Sequence, residues 1–111
     1  MINTITFEDF TKVDIRIGTI ISVDDFPKAR KPAYQIIIDF GAIGTKKTSA
    51  QLTSLYTKED LLNKQVFAVI NFHSKQIANF MSECLILGIQ KGDEVVLLQA
   101  KGAIINGEHL F

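Results

Sequence analysis

The sequence contains a single cysteine, two histidines and no tryptophan, and this scarcity argues against several kinds of site at once. Cys84 has no partner for an internal disulfide, which fits a reducing compartment. The Cys-x-x-Cys and His-Glu-x-x-His metal-binding patterns are absent, as is the Walker-type Gly-x-x-x-x-Gly-Lys phosphate loop. We therefore expect no metal and no cofactor, and we predict that the chain is not an enzyme.

Long apolar runs are also missing. No run approaches the roughly 18 residues that are needed to span a bilayer. The first residues carry two acids, Glu8 and Asp9, and they lack a cationic start followed by an apolar block. These absences predict a chain with no membrane insertion and a cytoplasmic location.

The length and the composition favour one globular domain. A chain of 111 residues, 47% of them hydrophobic, is long enough to bury a single core but short for two. No repeat, low-complexity tract or linker interrupts the chain. We therefore predict one domain over residues 1–111.

A net charge of zero conceals a segregated charge pattern. Residues 1–27 sum to −3, residues 28–75 to +5 and residues 76–111 to −2. A polyanion responds to the local potential of the surface it approaches, over a Debye length of about 8 Å. The middle of the chain therefore favours an anionic partner, with ordinary solubilising lysines as the alternative.

The helices are short and few. Thr6 and Asp9 are spaced as a capping box, a hydroxyl followed three residues later by a carboxylate, which predicts a helix over residues 7–12. Thr57 and Asp60 repeat the spacing and predict a second helix up to about residue 63. A helical turn is expected at residues 51–56.

Alternating apolar residues predict that the rest of the chain is mostly strand. Residues 13–24 form a long strand with its odd-numbered apolar residues, Ile21 included, on one face and with Gly18 as a bend or bulge. Pro27 and Pro32 bracket a basic loop, and the next strand alternates at residues 34, 36, 38 and 40. Further strands are expected at residues 46–50, 65–72, 84–89 and 94–99, with a tight turn at residues 106–107.

This order of elements favours a closed barrel. Short strands with turns about ten residues apart, and a small helix between the third and fourth strands, are typical of an OB-type fold. We predict an all-β, five-stranded OB-fold barrel with a short N-terminal helix and C-terminal strand additions. A small sandwich is the alternative.

Neither histidine forms a convincing catalytic pair. His73 and Ser74 are neighbours, but adjacent side chains on an extended segment point apart, so a solvated loop is the better interpretation. Cys84 precedes three apolar residues in a predicted strand, where a thiol is usually buried with a raised pKa. Residues 71–83 mix apolar and amide side chains without periodicity, as a loop that lines a groove does.

Five segments of the sequence, together with the end of the chain, resemble the tRNA-binding domain family. That family includes the C-terminal domain of some methionyl-tRNA synthetases. The basic word Lys-Ala-Arg-Lys-Pro-Ala-Tyr, at residues 28–34, is similar to the free-standing, secretion-associated chaperones of that family rather than to its synthetase-type members. His73 and Ser74 stand where those chaperones commonly have prolines, and the turn at residues 90–93 is shorter than in some members. The matching words are DFTKVDIRIGTI (9–20), DFPKARKPAYQIIIDFG (25–41), KKTSAQLTSLYTKEDLLNKQVFAVINF (46–72), KQIANFMSECLILG (75–88) and EVVLL (94–98), with NGEHLF at the end.

The resemblance implies an OB barrel that binds tRNA by shape and binds unfolded or export-bound polypeptides, with the export machinery as a further partner. Phosphate and polar contacts are assigned to a basic face, and polypeptide contacts to an adjoining apolar groove. Phe72 and Ile77 have an alternative role as a buried plug of the barrel end, whereas Phe80 and Met81 are expected to be more exposed. The RNA-binding residues are Lys28, Arg30, Lys31, Lys46, Lys47, Ser49, Gln51, Asn71 and Lys75, and the polypeptide-binding residues are Phe72, Ile77, Phe80, Met81 and Ser82.

A homodimer is also expected. The two ends of the chain carry more apolar residues than one barrel readily covers, and a twofold-symmetric interface would bury them. Capping of the barrel ends is the alternative. The interface residues are Phe7, Phe10, Ile104, Ile105, Leu110 and Phe111.

These features predict a homodimeric chaperone and tRNA-binding protein that is related to protein export. The alternative is a dedicated, structure-specific tRNA-binding protein that acts in trans with a synthetase and has no chaperone role.

Overall fold

The computed structural model describes residues 2–110, which form nine short strands, two helices and one 3-10 turn. No helix in this part of the chain is long and apolar enough to cross a membrane. In chain order the elements are α1 (Phe7–Thr11), β1 (Ile15–Asp25), β2 (Tyr34–Asp39), the 3-10 turn (Gly41–Ile43), β3 (Thr45–Ala50), α2 (Lys58–Leu61), β4 (Gln65–Val69), β5 (Lys75–Ile77), β6 (Phe80–Ser82), β7 (Leu85–Ile86), β8 (Gly88–Lys91) and β9 (Glu94–Leu97).

Five strands form one antiparallel sheet in the order β3-β2-β1-β4-β7. The central strand β1 pairs with β4 through residues 15–19 and with β2 through residues 19–25. The outer strands approach each other, because β3 contacts both β7 and β6, so the sheet curls into a nearly closed barrel. The predicted five-stranded, mainly β barrel is confirmed.

Strand β2 and the residue after it supply much of the barrel core. Ile36, Ile38 and Phe40 are fully buried, and Tyr34 is nearly so, as the alternation of this strand predicts. Leu61 of α2 packs into the same cluster. Burying one such side chain stabilises the fold by about 1.5–3 kcal/mol, so this row of side chains fixes which face of β2 points inward.

Strand β1 differs from its prediction at two positions. Its register against β2 shifts between Ile20 and Ser22, which places the bulge at Ile21 rather than at Gly18. Ile20 is therefore buried and Ile21 is 45% exposed, the reverse of the predicted order. Gly18 has another role, since a Cβ there would lie only 2.6 Å from Cγ2 of Ile38.

Both predicted helix caps are present. The Thr6 hydroxyl accepts a hydrogen bond from the Asp9 amide at 3.0 Å, and the Asp9 carboxylate accepts one from the Thr6 amide at 3.3 Å. The same exchange joins Thr57 and Asp60. The hydrogen bond from the Thr57 amide lowers the pKa of Asp60, because it favours the charged carboxylate. Each helix ends slightly earlier than predicted.

The region after β4 is more ordered than predicted. β4 ends at Val69, and the stretch expected to be irregular contains the β5–β6 hairpin. Ala78 turns this hairpin with φ of +52°, a conformation that the residue type does not signal. The strand predicted at residues 84–89 divides into β7 and β8. The helical turn expected at residues 51–56 is present as a single turn, closed by a hydrogen bond from the Tyr56 amide to the Leu52 carbonyl four residues earlier.

The end of the described chain completes the ladder of β1. The turn at residues 106–107 is present as predicted, and the Gly107 amide donates to the Ile17 carbonyl at 2.8 Å. The Leu110 amide donates to the Ile15 carbonyl at 2.9 Å. This segment therefore occupies the part of the β1 edge that β2 leaves unpaired, and Arg16 reinforces it by donating to the Gly107 carbonyl at 3.0 Å.

Candidate functional site

An open cleft of about 1290 Å³ lies beside the barrel. One wall is formed by residues 29–33, between β1 and β2, and the other by residues 72–78, which include β5. Ser49 of β3, with Cys84 and Leu85 at the start of β7, lies between the two walls. The cleft therefore opens over the seam at which the two outer strands of the barrel meet.

The basic loop that forms the first wall is anchored by apolar packing rather than by its charges. Phe26 is buried, and its carbonyl accepts a hydrogen bond from the Ala29 amide at 3.2 Å. Lys28, Arg30 and Lys31 are exposed, and none of them takes part in the ion pairs found within residues 2–110. Their charge is therefore available to a partner.

The hairpin that forms the second wall is fastened to the edge of β3. The Glu83 carboxylate accepts a hydrogen bond from the Lys47 amide at 2.9 Å, and the Glu83 amide donates to the Lys47 carbonyl at 2.8 Å. The Ser82 hydroxyl lies 2.9 Å from that of Thr48, which donates to the Cys84 carbonyl. The base of the hairpin therefore uses the hydrogen-bonding groups on the outer edge of β3, in the place where a neighbouring strand would pair.

Phe80 joins the two walls of the cleft. Its ring lies 5.5 Å from that of Phe26, which anchors the basic loop, and the ammonium group of Lys47 lies 5.2 Å from the Phe80 ring centre. Tilted aromatic pairs and cations over rings are both attractive contacts. Phe80 is therefore half-buried between the loop and β3.

The predicted RNA-binding residues divide into two groups. Arg30, Lys31, Ser49, Gln51 and Lys75 line the cleft together. The cations Lys28, Lys46 and Lys47 lie outside its lining, on the same loop and on β3.

Asn71 also lies outside the cleft lining, and the fold already uses its amide group. Its oxygen accepts a hydrogen bond from the Asp14 amide at 2.9 Å, and its nitrogen donates to the Lys12 carbonyl at 2.7 Å. The side chain therefore fixes the start of β1 against the end of β4.

The predicted polypeptide-binding residues divide in the same way. Phe72, Ile77 and Ser82 line the cleft, whereas Phe80 and Met81 do not. The alternative of a buried plug is wrong for Phe72, whose side chain is 58% exposed, and Ile77 is half-buried. Sequence reasoning missed Ala29, Ala33 and Leu85 as lining residues. The two alanines carry neither a charge nor a large apolar group that would mark a binding residue, and Leu85 lies in the predicted strand at residues 84–89 that divides into β7 and β8.

Cys84 is buried at the seam, as predicted. Burial raises the pKa of its thiol to about 12, because the charged thiolate is desolvated there. A cluster of three or more His, Cys, Asp or Glu side chains that could hold a metal ion is not found in residues 2–110.

Native Cys84 should therefore react slowly with iodoacetamide. At about pH 8 its thiolate fraction should be about a thousandfold below that of an unperturbed thiol. Alkylation followed by mass spectrometry should be at least about a hundredfold faster in denaturant than in buffer. Equal rates in the two conditions would show that the thiol is accessible and ionised in the native state.

Most of the predicted dimer residues lie on the surface. Phe7, Ile104, Ile105 and Leu110 are exposed, and Phe10 is half-buried with its ring 6.3 Å from that of Phe7. Phe111 lies outside the described residues.

Comparison of the chain with models of known protein families identifies the class of protein to which this barrel and cleft belong. Residues 15–109 match the family model described as "Putative tRNA binding domain". This match covers most of the chain, including the whole barrel and both walls of the cleft. The chain belongs to the tRNA-binding domain family.

Two crystal structures of chaperone CsaA are similar to the chain over nearly all of its length. The structure from Bacillus anthracis is 44% identical, with a TM-score of 0.93 over 98% of this chain and 100% of that one. The structure from Picrophilus torridus is 50% identical, with a TM-score of 0.91 over 97% of this chain and 100% of that one. The predicted resemblance to the free-standing chaperones of the family is confirmed.

Methionine–tRNA ligases carry a similar segment. The enzyme from Thermococcus onnurineus is 36% identical over 94 residues, which make up 85% of this chain and 13% of that protein. The enzyme from Pyrococcus horikoshii is 38% identical over the same length, with the same shares. The chain thus spans about 13% of the length of these relatives.

Proposed function

We propose that the chain binds tRNA through the basic side of the cleft. The observation that carries this proposal is the position of Arg30 and Lys31 on one wall and Lys75 on the other, with none of the three in an ion pair within residues 2–110. Membership of the tRNA-binding domain family supports it. The full set of proposed contacts is Lys28, Arg30, Lys31, Lys46, Lys47, Ser49, Gln51, Asn71 and Lys75.

The recognition should depend on shape more than on sequence. A-form RNA has a major groove too narrow for side chains, so most contacts should reach phosphates and 2′-hydroxyls. With about four to six phosphate contacts for each subunit, the logarithm of affinity should fall with the logarithm of salt at a slope of about −3 to −5. A titration with bulk tRNA at several salt concentrations measures this slope, and a slope near zero would exclude the proposed mode.

A second function, the binding of unfolded or export-bound polypeptides, is favoured by the apolar part of the same cleft. Phe72, Ile77 and Leu85 contribute apolar surface between the basic residues, in a concavity large enough for several side chains. The similar CsaA structures are named as chaperones, which supports this function. The other proposed polypeptide contacts are Phe80, Met81 and Ser82, and the export machinery is a further proposed partner.

Replacing Phe72 by serine should weaken protection of an unfolded client against aggregation. The change removes an exposed ring from the wall of the cleft, with little loss of fold stability. Light scattering during dilution of a denatured client should show protection reduced severalfold, and binding of the same client should weaken by about tenfold. Ile89→Ser is a matched control, because Ile89 is also 58% exposed but lies outside the cleft lining. Equal loss in the two variants would exclude the cleft as the polypeptide site.

We also propose that the chain forms a homodimer through Phe7, Phe10, Ile104, Ile105, Leu110 and Phe111. Ile105 is 77% exposed, and burial of such residues between two copies would be favourable. Ile105→Glu should shift a sedimentation profile from dimer to monomer, whereas Ile89→Glu, outside the proposed interface, should not. An Ile105→Glu protein that still sediments as a dimer would refute this interface.

We place the protein in the cytoplasm, where tRNA is found, and fractionation of cells tests this location. The alternative function, a tRNA-binding protein that acts in trans with a synthetase, predicts tRNA binding without protection of unfolded clients. The scattering assay therefore separates it from the chaperone function.

A further inference from the structure

The cleft lining offers positive charge to a ligand but little negative charge. Glu83 is the only carboxylate among the described lining residues, and it already accepts the hydrogen bond from the Lys47 amide. Of the two acids at the end of β1, Asp25 pairs with Lys58 at 3.1 Å and Asp24 does not line the cleft. A ligand in the cleft therefore meets cations that the surrounding structure does not neutralise.

These cations flank apolar surface rather than form a separate patch. Arg30 and Lys31 stand on the loop wall and Lys75 on the hairpin wall, while Ile77 and Leu85 line the space together with them. An apolar segment that enters the cleft must therefore bring its neighbouring residues close to positive charge. At a separation below the Debye length of about 8 Å, the sign of those neighbours affects the binding free energy.

We propose that the cleft selects extended polypeptide segments in which an apolar centre is flanked by Asp or Glu, and that it discriminates against apolar segments flanked by Lys or Arg. This inference rests on the proposed polypeptide function and specifies its substrate class. Acidic flanks pair with Arg30, Lys31 and Lys75, whereas basic flanks are repelled by them. A segment with a cationic start followed by an apolar block is thus the less favoured ligand.

Three labelled peptides test the proposal on the full chain. They share one apolar centre and carry three Asp, three Ser or three Lys residues on each side. Fluorescence anisotropy at about 0.05 M salt should show the acidic peptide binding about tenfold more tightly than the serine peptide, and the basic peptide more weakly than either. At about 0.5 M salt the three affinities should converge.

A pair of double variants makes the test reciprocal. Arg30→Glu with Lys31→Glu should reverse the order, so that the basic peptide binds more tightly than the acidic one. Lys91→Glu with Lys101→Glu changes the net charge equally at exposed positions outside the cleft lining and should keep the original order. Circular dichroism of both variants should match that of the wild-type protein if the barrel is intact.

Each outcome has a distinct meaning. Reversal in the cleft variant alone supports the proposal. Equal affinities of the three peptides at low salt would overturn it and leave polypeptide binding in place. Binding of none of the peptides, with tRNA still bound, would overturn both this inference and the polypeptide function and would leave a nucleic-acid site.

Discussion

Reversing the charge of Arg30, Lys31 and Lys75 together should lower the affinity for tRNA by at least about a hundredfold and make the salt slope shallower by about three. Each of these side chains lines the cleft, and none of them has an ion-pair partner in residues 2–110. Replacing a cation by a carboxylate would remove one proposed phosphate contact and add repulsion. Titrations over a range of salt concentrations measure both changes.

The matched control reverses three other exposed lysines. Lys12, Lys91 and Lys101 lie outside the cleft lining, and their reversal changes the net charge by the same amount. If the cleft is the RNA site, the control should lose only a small part of the affinity. An equal loss in both variants would instead assign tRNA binding to the overall charge of the protein, and the cleft would have no special role.

Replacing Gly18 by alanine should destabilise the barrel by about 1–3 kcal/mol. A Cβ at this position would lie 2.6 Å from Cγ2 of Ile38, 2.8 Å from Cδ1 of Phe40 and 2.9 Å from the Asp39 carbonyl oxygen. The two side chains are fully buried and the third contact is backbone, so little room exists for relaxation. Urea unfolding followed by circular dichroism measures the change in the free energy of unfolding.

Gly102→Ala is the control for this prediction. An added Cβ at Gly102 meets nothing within 4 Å, and the residue does not have a positive φ. The substitution should change the free energy of unfolding by less than about 0.5 kcal/mol. A Gly18→Ala protein as stable as Gly102→Ala would show that β1 and β2 are less closely packed than the described structure has them.

Local patterns predicted the parts of the fold whose causes are local. The alternation from Tyr34 to Phe40 identified the inward face of β2, and the spacing of Thr6 and Asp9 identified α1. Each signal depends only on residues a few positions apart. The geometry of a single strand or a single helix sets their spacing without help from the rest of the fold.

The errors in the predicted fold arise where distant residues decide the outcome. Strict alternation along β1 assigned Ile21 to the core. A bulge at this residue shifts the alternation, and the bulge depends on the pairing of β1 with β2, which the local sequence does not show. Gly18 was interpreted as a bend or bulge, whereas its small size is required by Ile38 of β2 and by Phe40, the residue after β2. The β5–β6 hairpin has strands of three residues each and turns at Ala78, so neither alternation nor a glycine indicates it.

The candidate site was predicted as a set of residues but not as an arrangement. Arg30, Lys75 and Phe72 were assigned to two separate functions, and the structure brings them into one cleft because the hairpin lies opposite the basic loop. Phe80 remains a proposed polypeptide contact, and its packing between Phe26 and Lys47 was not indicated by the sequence. The role of Asn71 in holding β1 depends equally on a partner 57 residues away.

The central claim is that one cleft serves both ligands, and competition tests it most directly. An unfolded polypeptide, labelled and bound to the wild-type protein, is titrated with unlabelled bulk tRNA at low salt. The arrangement of Arg30, Lys75 and Phe72 around one space predicts that tRNA displaces the polypeptide completely. A complex that retains the polypeptide at saturating tRNA would contradict the claim and would require two separate surfaces.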